Sequence, residues 1–209
     1  MQTILFQGDS ITDCSRGNGL GTGYALLTAA ELGCSMPTNF NFINRGISGN
    51  RIVDLYARIK KDFINLKPDV ISILIGVNDV WHEINEQNGV EAEKFETIYS
   101  MLVEEITAAL PEVKIMILEP FCLRGTATDN TEENPNKWHT FDTEVRKRAV
   151  KAKAVAEKYG FHFIPLQDKF DLACQKAEPS YWLRDGVHPT PMGHEIIKNA
   201  WIEGYNKLY

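Results

Sequence analysis

The strongest constraint on this chain is an alternation of two patterns. Five short apolar runs, Thr3–Gln7, Phe40–Asn44, Val70–Ile75, Lys114–Leu118 and His162–Leu166, are separated by stretches with helical spacing. The runs are rich in β-branched and aromatic residues. Several lack polar–apolar alternation, as strands buried on both faces do. Strands that alternate with helices predict the α/β class: a central five-stranded parallel sheet between helices, in three α/β/α layers. The helical patterns are read over Gly23–Leu32, closed by Gly33, and over Ile52–Phe63. They recur from Phe95 until Pro111 stops the pattern, and over Thr140–Tyr159 with Gly160 as the C-terminal cap. The last opens with Thr190 as N-cap and Pro191 at the first helical position. With no internal repeat or linker, residues 1–209 read as one domain.

Composition removes several function classes. The net charge is -6 and no basic stripe is visible, which argues against nucleic acid or an anionic membrane as partner. No apolar run is long enough to cross a bilayer. The N-terminus enters a strand without the pattern of a secretory signal, and Cys14, Cys34, Cys122 and Cys174 are scattered without a CxxC pair. These features predict a reducing, cytoplasmic location. No HExxH or Cys/His cluster appears, so no metal site is expected.

Ligands of an open parallel sheet bind at the carboxyl ends of its strands. Ser10 follows the first run at once, in Gly8-Asp9-Ser10. Alone it reads equally as a helix cap. Asp185-Gly186-Val187-His188 puts a carboxylate three residues before an imidazole. On a tight turn Asp185 can hold Nδ1–H and leave Nε2 as a base. Asn78 follows the third run, where its amide can donate to a developing oxyanion or simply form a turn. Gly49, after the second run, can offer its N–H to the same oxygen or serve a turn with positive φ. His82, His139, His162 and His194 have no charged partner at useful spacing and are read as structural.

The order Ser, Gly, Asn, Asp, His resembles the SGNH hydrolases, the GDSL esterase/lipase family. Its four blocks are present as Gly8–Ser10, Gly49, Gly76–Asp79 and Asp185–His188, with Ile11 where the family name has leucine. The resemblance implies a flavodoxin-like SGNH hydrolase fold. It implies Ser10 as nucleophile, His188 as general base oriented by Asp185, and an oxyanion hole of Ser10, Gly49 and Asn78, with no cofactor. A narrower resemblance runs through Gly8–Arg16, Gly19–Tyr24, Arg45–Arg58, Lys67–Trp81, Glu119–Phe121 and Asp185–His194. These segments are similar to the intracellular acetyl-xylan-oligosaccharide esterases. That implies removal of short acyl groups, above all acetyl, from carbohydrate esters such as acetylated xylo-oligosaccharides. A broad short-chain lysophospholipase or thioesterase activity, and a non-catalytic carbohydrate-binding protein, stay open beside it.

Trp81 and Phe121 are candidate platforms for a sugar ring or acyl methyl, with core packing as the other reading. Asp9 and Asp79 flank the candidate residues and are expected to hold loops by accepting N–H groups. The polar stretch Arg124–Lys137 follows the fourth run and is expected to shape the substrate site. The partner is expected to be a small acetylated oligosaccharide, and a homo-oligomer is compatible with a compact enzyme.

Overall fold

The computed structural model describes residues 1–209. In chain order the elements are β1 (Gln2–Gly8), α1 (Ser10–Asp13), α2 (Tyr24–Ser35), β2 (Phe40–Asn44), α3 (Ile52–Ala57), α4 (Ile59–Asp62), β3 (Val70–Leu74) and α5 (Val77–Glu86). They continue with α6 (Ala92–Ala109), β4 (Lys114–Leu118), α7 (Lys137–Tyr159), β5 (His162–Ile164), α8 (Gln167–Ala173), α9 (Pro179–Trp182) and α10 (Pro191–Asn206). The five strands form one parallel sheet in the order β2-β1-β3-β4-β5. The chain leaves β1 for the edge strand β2, then crosses back to β3. The order therefore reverses between β1 and β3, where a crevice opens beyond the strand ends.

Successive strand residues point to opposite faces, and both faces are covered. Ile4, Phe6, Val70, Leu74, Met116 and Leu118 pack into one core, with Tyr24 of α2, Phe170 of α8 and Trp201 of α10. Leu5, Ile71, Ile73, Ile115 and Ile117 pack into the other, with Leu55 of α3, Tyr99 of α6 and Val155 of α7. This is why the strands read as continuous apolar runs: neither face meets water.

Most boundaries fall within one to three residues of the sequence reading, and three differences alter the elements themselves. The stretch Ile52–Phe63 is two helices, broken at Arg58 (φ −110°, ψ 17°). There the arginine side chain reaches back to Asn50 Oδ1 at 2.9 Å and forward to Asp62 at 3.2 Å. Gly33 does not close α2, which runs on to Ser35. Gly23 is its N-cap. β5 stops at Ile164, because Leu166 instead caps α8 and donates its N–H to Glu119. Thr190 accepts from Gly193 N–H at 3.2 Å and Gly160 adopts φ 71°, so both caps stand as expected.

Candidate active site

Ser10 is placed by the way β1 ends. Gly8 has φ 155°, and a Cβ there would lie 2.3 Å from Leu74 O. Only glycine lets β1 finish flush against β3 at this point. Asp9 then caps α1, its Oδ1 accepting Ile11 N–H at 2.9 Å. Ser10 is thus the first residue of a one-turn helix, where its own N–H has no intrahelical acceptor.

The strand following in space brings Gly49. Asn44, at the tip of β2, donates to Thr12 O (2.6 Å) and Leu20 O (2.8 Å). Gly46 lies so close to α1 that a Cβ would meet Asp13 N at 2.4 Å. Ser48 donates its N–H and hydroxyl to Asp13 Oδ2 at 3.1 and 3.0 Å. These contacts strap the 45–51 loop beside Ser10. Gly49 within it has φ 82° and makes no loop hydrogen bond through its N–H. Asn78, in the first turn of α5, donates one amide hydrogen to Asn50 O at 3.1 Å, which leaves the other toward the crevice. Asp79 beside it ties α5 to α3, accepting Ile52 N–H at 3.1 Å.

The imidazole arrives on a turn that orders itself. Asp185 Oδ1 accepts the N–H groups of Val187 (3.0 Å) and His188 (2.8 Å). Its Oδ2 takes His188 Nδ1–H at 2.7 Å. Gly186 has φ 96°, and Arg184 N–H donates to His188 O at 2.9 Å to close the turn. His188 Nε2 then lies 2.9 Å from Ser10 Oγ. With Nδ1 donating to Asp185, Nε2 is the acceptor and the serine hydroxyl donates. Burial works against charge on Asp185, but hydrogen bonds from the His188 ring and the two backbone groups outweigh it. They hold the carboxyl well below the usual carboxylate range.

On the two flanking aspartates burial outweighs the lowering pull of the Ile11 and Ile52 N–H groups and pushes Asp9 and Asp79 up to about 7. Both serve as loop anchors, as expected from the sequence.

Two recesses meet at Ser10 and His188. One, of about 390 Å³, is lined by Gly49, Asn78, Trp81 and His82. The other, also about 390 Å³, is lined by Cys14, Thr22, Arg184 and His194. Ser48 borders both. Trp81 lies 5.8 Å from the His188 ring, ring centre to ring centre, so it faces the site as a platform can. Phe121 does not. It is 0 % exposed and stacked on Phe170 at 4.5 Å, a core residue. The reason is direction: the chain beyond β4 turns inward, and Gln167 holds Cys122 by both N–H (3.1 Å) and carbonyl (3.0 Å).

The stretch Arg124–Lys137, expected to shape the substrate site, lies elsewhere as well. It lines neither recess. Its first turn packs behind the Asp185–His188 turn instead: Ala127 N–H donates to Asp185 O at 2.9 Å and Leu123 N–H to Gly186 O at 2.8 Å. Thr128, fully buried, bridges Leu123 O (2.7 Å) and Gly125 N–H (2.9 Å). The segment supports the imidazole turn.

The sequence reading missed Ser48 and Arg184, and it set His82 and His194 aside. His82 was detectable as the residue one helical turn beyond Asn78. His194 had no such signal: its Nδ1 accepts Tyr24 N–H at 3.1 Å and its Nε2 lies 3.3 Å from Cys14 Sγ, both contacts between distant segments.

A serine, imidazole and carboxylate in hydrogen-bonded sequence at the switch point of a parallel sheet define a serine acyl-hydrolase arrangement on a flavodoxin-like scaffold. Residues 6–196 match the GDSL-like lipase/acylhydrolase family, and the chain belongs to it. It is 34% identical to an acetylxylan esterase of Geobacillus stearothermophilus, over 96% of this chain and 92% of that protein. Among solved structures, a catalytic mutant of that organism's acetylxylan esterase Axe2 superposes with a TM-score of 0.85 at 31% identity, covering 97% of this chain and 93% of the other. LAE5, an alpha/beta hydrolase enzyme from the metagenome of Lake Arreo, Spain, superposes with a TM-score of 0.85 at 28% identity, covering 100% and 96%. The Axe2 catalytic mutants replace an aspartate, a serine and a histidine, each by alanine.

Proposed function

We propose that this chain is a serine carboxylester hydrolase that removes acetyl groups from carbohydrate esters, acetylated xylo-oligosaccharides among them. The observation that carries the mechanism is the unbroken relay from Ser10 Oγ to His188 Nε2 (2.9 Å) and from His188 Nδ1 to Asp185 Oδ2 (2.7 Å). His188 takes the Ser10 proton as Oγ attacks the ester carbonyl. The oxygen of the tetrahedral intermediate rests on the N–H groups of Ser10 and Gly49 and on the Asn78 amide. His188 then gives its proton to the departing sugar oxygen. Water, deprotonated by the same nitrogen, attacks the acyl-serine, and acetate leaves with Ser10 restored. Catalysis needs a free lone pair on His188 Nε2 to take the serine proton.

A short acyl group is supported by the recess beside Gly49 and Asn78. Trp81 is its one apolar wall, and His82, Asn85 and Glu86 complete it. An acetyl methyl can lie on the indole, whereas a long chain would meet polar side chains. The acetylxylan esterase relative supports the carbohydrate alcohol. The test is covalent labelling by a fluorophosphonate, expected in the wild type and absent in Ser10→Ala, together with acetate release from acetylated xylo-oligosaccharide. Faster cleavage of a long-chain acyl ester than of the acetyl substrate would overturn the acyl assignment.

A further inference from the structure

Arg184 directly precedes the Asp185–His188 turn, and it differs from every other arginine in the chain. Arg16, Arg45, Arg51, Arg58, Arg124, Arg146 and Arg148 each have a carboxylate within 4.0 Å. Arg184 has none. Its side chain is exposed and lines the second recess, which Ser10 and His188 border. No aspartate or glutamate lines that recess, although the chain as a whole carries a charge of -6. Asp13, in the turn after Ser10, is already engaged by the Ser48 N–H and hydroxyl and by Arg16.

The arginine hangs from a fixed point. Its N–H is bonded to His188 O at 2.9 Å, and Leu183 and Pro189 on either side form an antiparallel bridge. The remaining walls include the hydroxyls of Ser15 and Thr22. His194 brings no competing cation. Burial first, and then the Arg184 and His188 charges, push it down to about 4, so it is neutral near pH 7.

The two recesses divide the substrate. Oxyanion donors and Trp81 occupy the first, so the carbonyl and its acyl group lie there. The leaving oxygen must face His188 Nε2, and the alcohol beyond it extends into the second recess. A guanidinium without a protein partner is then presented to the alcohol. Its planar fork matches a carboxylate in two parallel hydrogen bonds.

We infer that Arg184 recognises a carboxylate on the alcohol side of the ester, so that the preferred substrate is an O-acetylated acidic sugar, a uronic-acid unit or an oligosaccharide that bears one. The inference rests on the esterase reading above. It adds a residue that sets specificity by binding rather than by taking part in bond breaking.

The test is a matched pair: an O-acetylated methyl glucuronoside and its uronamide, identical except that the amide carries no charge. Acetate release is read for each, and the quantity of interest is the ratio of kcat/KM, acid over amide. An exposed charged contact predicts a ratio of roughly 2 to 5 at low salt. The ratio should move chiefly through KM and shrink as salt screens the charge. It should fall to about one in Arg184→Gln, stay above one in Arg184→Lys, and drop below one in Arg184→Glu. Because each ratio is taken within one protein, partial loss of folded enzyme cancels. A wild-type ratio of one, or a ratio that Arg184→Gln and Arg184→Glu leave unchanged, overturns the inference and leaves the esterase reading standing. No acetate from either compound, nor from neutral acetylated xylo-oligosaccharide, overturns both.

Discussion

Alanine at Gly125 should impair catalysis from a position that touches neither recess. Gly125 does not have a left-handed φ, so the perturbation argued here is one of contact. Its Cβ would lie 2.4 Å from Asp185 C, 2.4 Å from Gly186 N and 2.6 Å from Asp185 O. All three are backbone atoms of the turn that carries the imidazole. Reaching an ordinary contact near 3.4 Å requires a relative movement of about 1 Å. The turn is stiff, held by Asp185 Oδ1 on its own backbone and by Ala127 and Leu123 from behind. The displacement is therefore passed to His188. A misplacement of that size costs about 10² in rate when reacting groups are otherwise aligned. Overpacking should also lower stability by about 1–3 kcal/mol, or a few degrees in Tm at this length. The assay is kcat for acetate release in Gly125→Ala, corrected for folded fraction by far-ultraviolet circular dichroism, beside the rate of fluorophosphonate labelling. Both should fall together, since both depend on His188 activating Ser10. A folded variant with wild-type kcat would refute the claim that this contact positions the turn.

Two further outcomes follow from the same geometry. Asn78→Ala removes an amide donor from the crevice and should lower kcat by about 10² to 10³, measured as steady-state acetate release; a change under about threefold would exclude Asn78 from the oxyanion site. Asp79 is pushed up to about 7 by burial, so the folded chain keeps a proton that the unfolded chain has released. The sign is then set: its contribution is complete below the ordinary aspartate value of 3.8 and is lost as pH rises through about 7. The loss is roughly 4 kcal/mol at most at 1.36 kcal/mol per pH unit. Asp79→Asn keeps an acceptor for Ile52 N–H but cannot titrate, so its Tm should decline less between pH 5 and 8 than that of the wild type; parallel Tm curves would count against the buried, titrating carboxyl.

Much of this molecule is legible along the chain because the relevant interactions are short-range. Strands buried on both faces announce themselves as apolar runs, and the sheet has five of them where five were read. The turn at Asp185–His188 is encoded within four residues, since the carboxylate bonds N–H groups two and three positions on and a ring three positions on. The cap at Thr190 and the left-handed stop at Gly160 are local in the same sense. Helix breaks are less visible: nothing in the spacing of Ile52–Phe63 reveals that the backbone leaves helical geometry at Arg58, whose side chain reaches Asn50 across the loop before α3.

What the chain determined by itself was therefore the set of pieces: the strand runs, the caps, a self-ordered Asp–His turn and a serine at a strand tip. Only the tertiary structure decided which pieces meet. Ser10 and His188 are 178 positions apart, and their 2.9 Å contact depends on strand order and on where the turn is braced. Trp81 and Phe121 look alike in sequence, yet one faces the site and the other is sealed in the core, because packing chooses the direction of a side chain. The stretch after β4 reads as a substrate loop and folds as a support for the imidazole. Arg184 carries no signal in the sequence, and becomes distinctive only where every other arginine is seen to be paired. Local patterns carry dihedral preferences and nearby hydrogen bonds. Convergence on one crevice is a property of the sheet and its two cores.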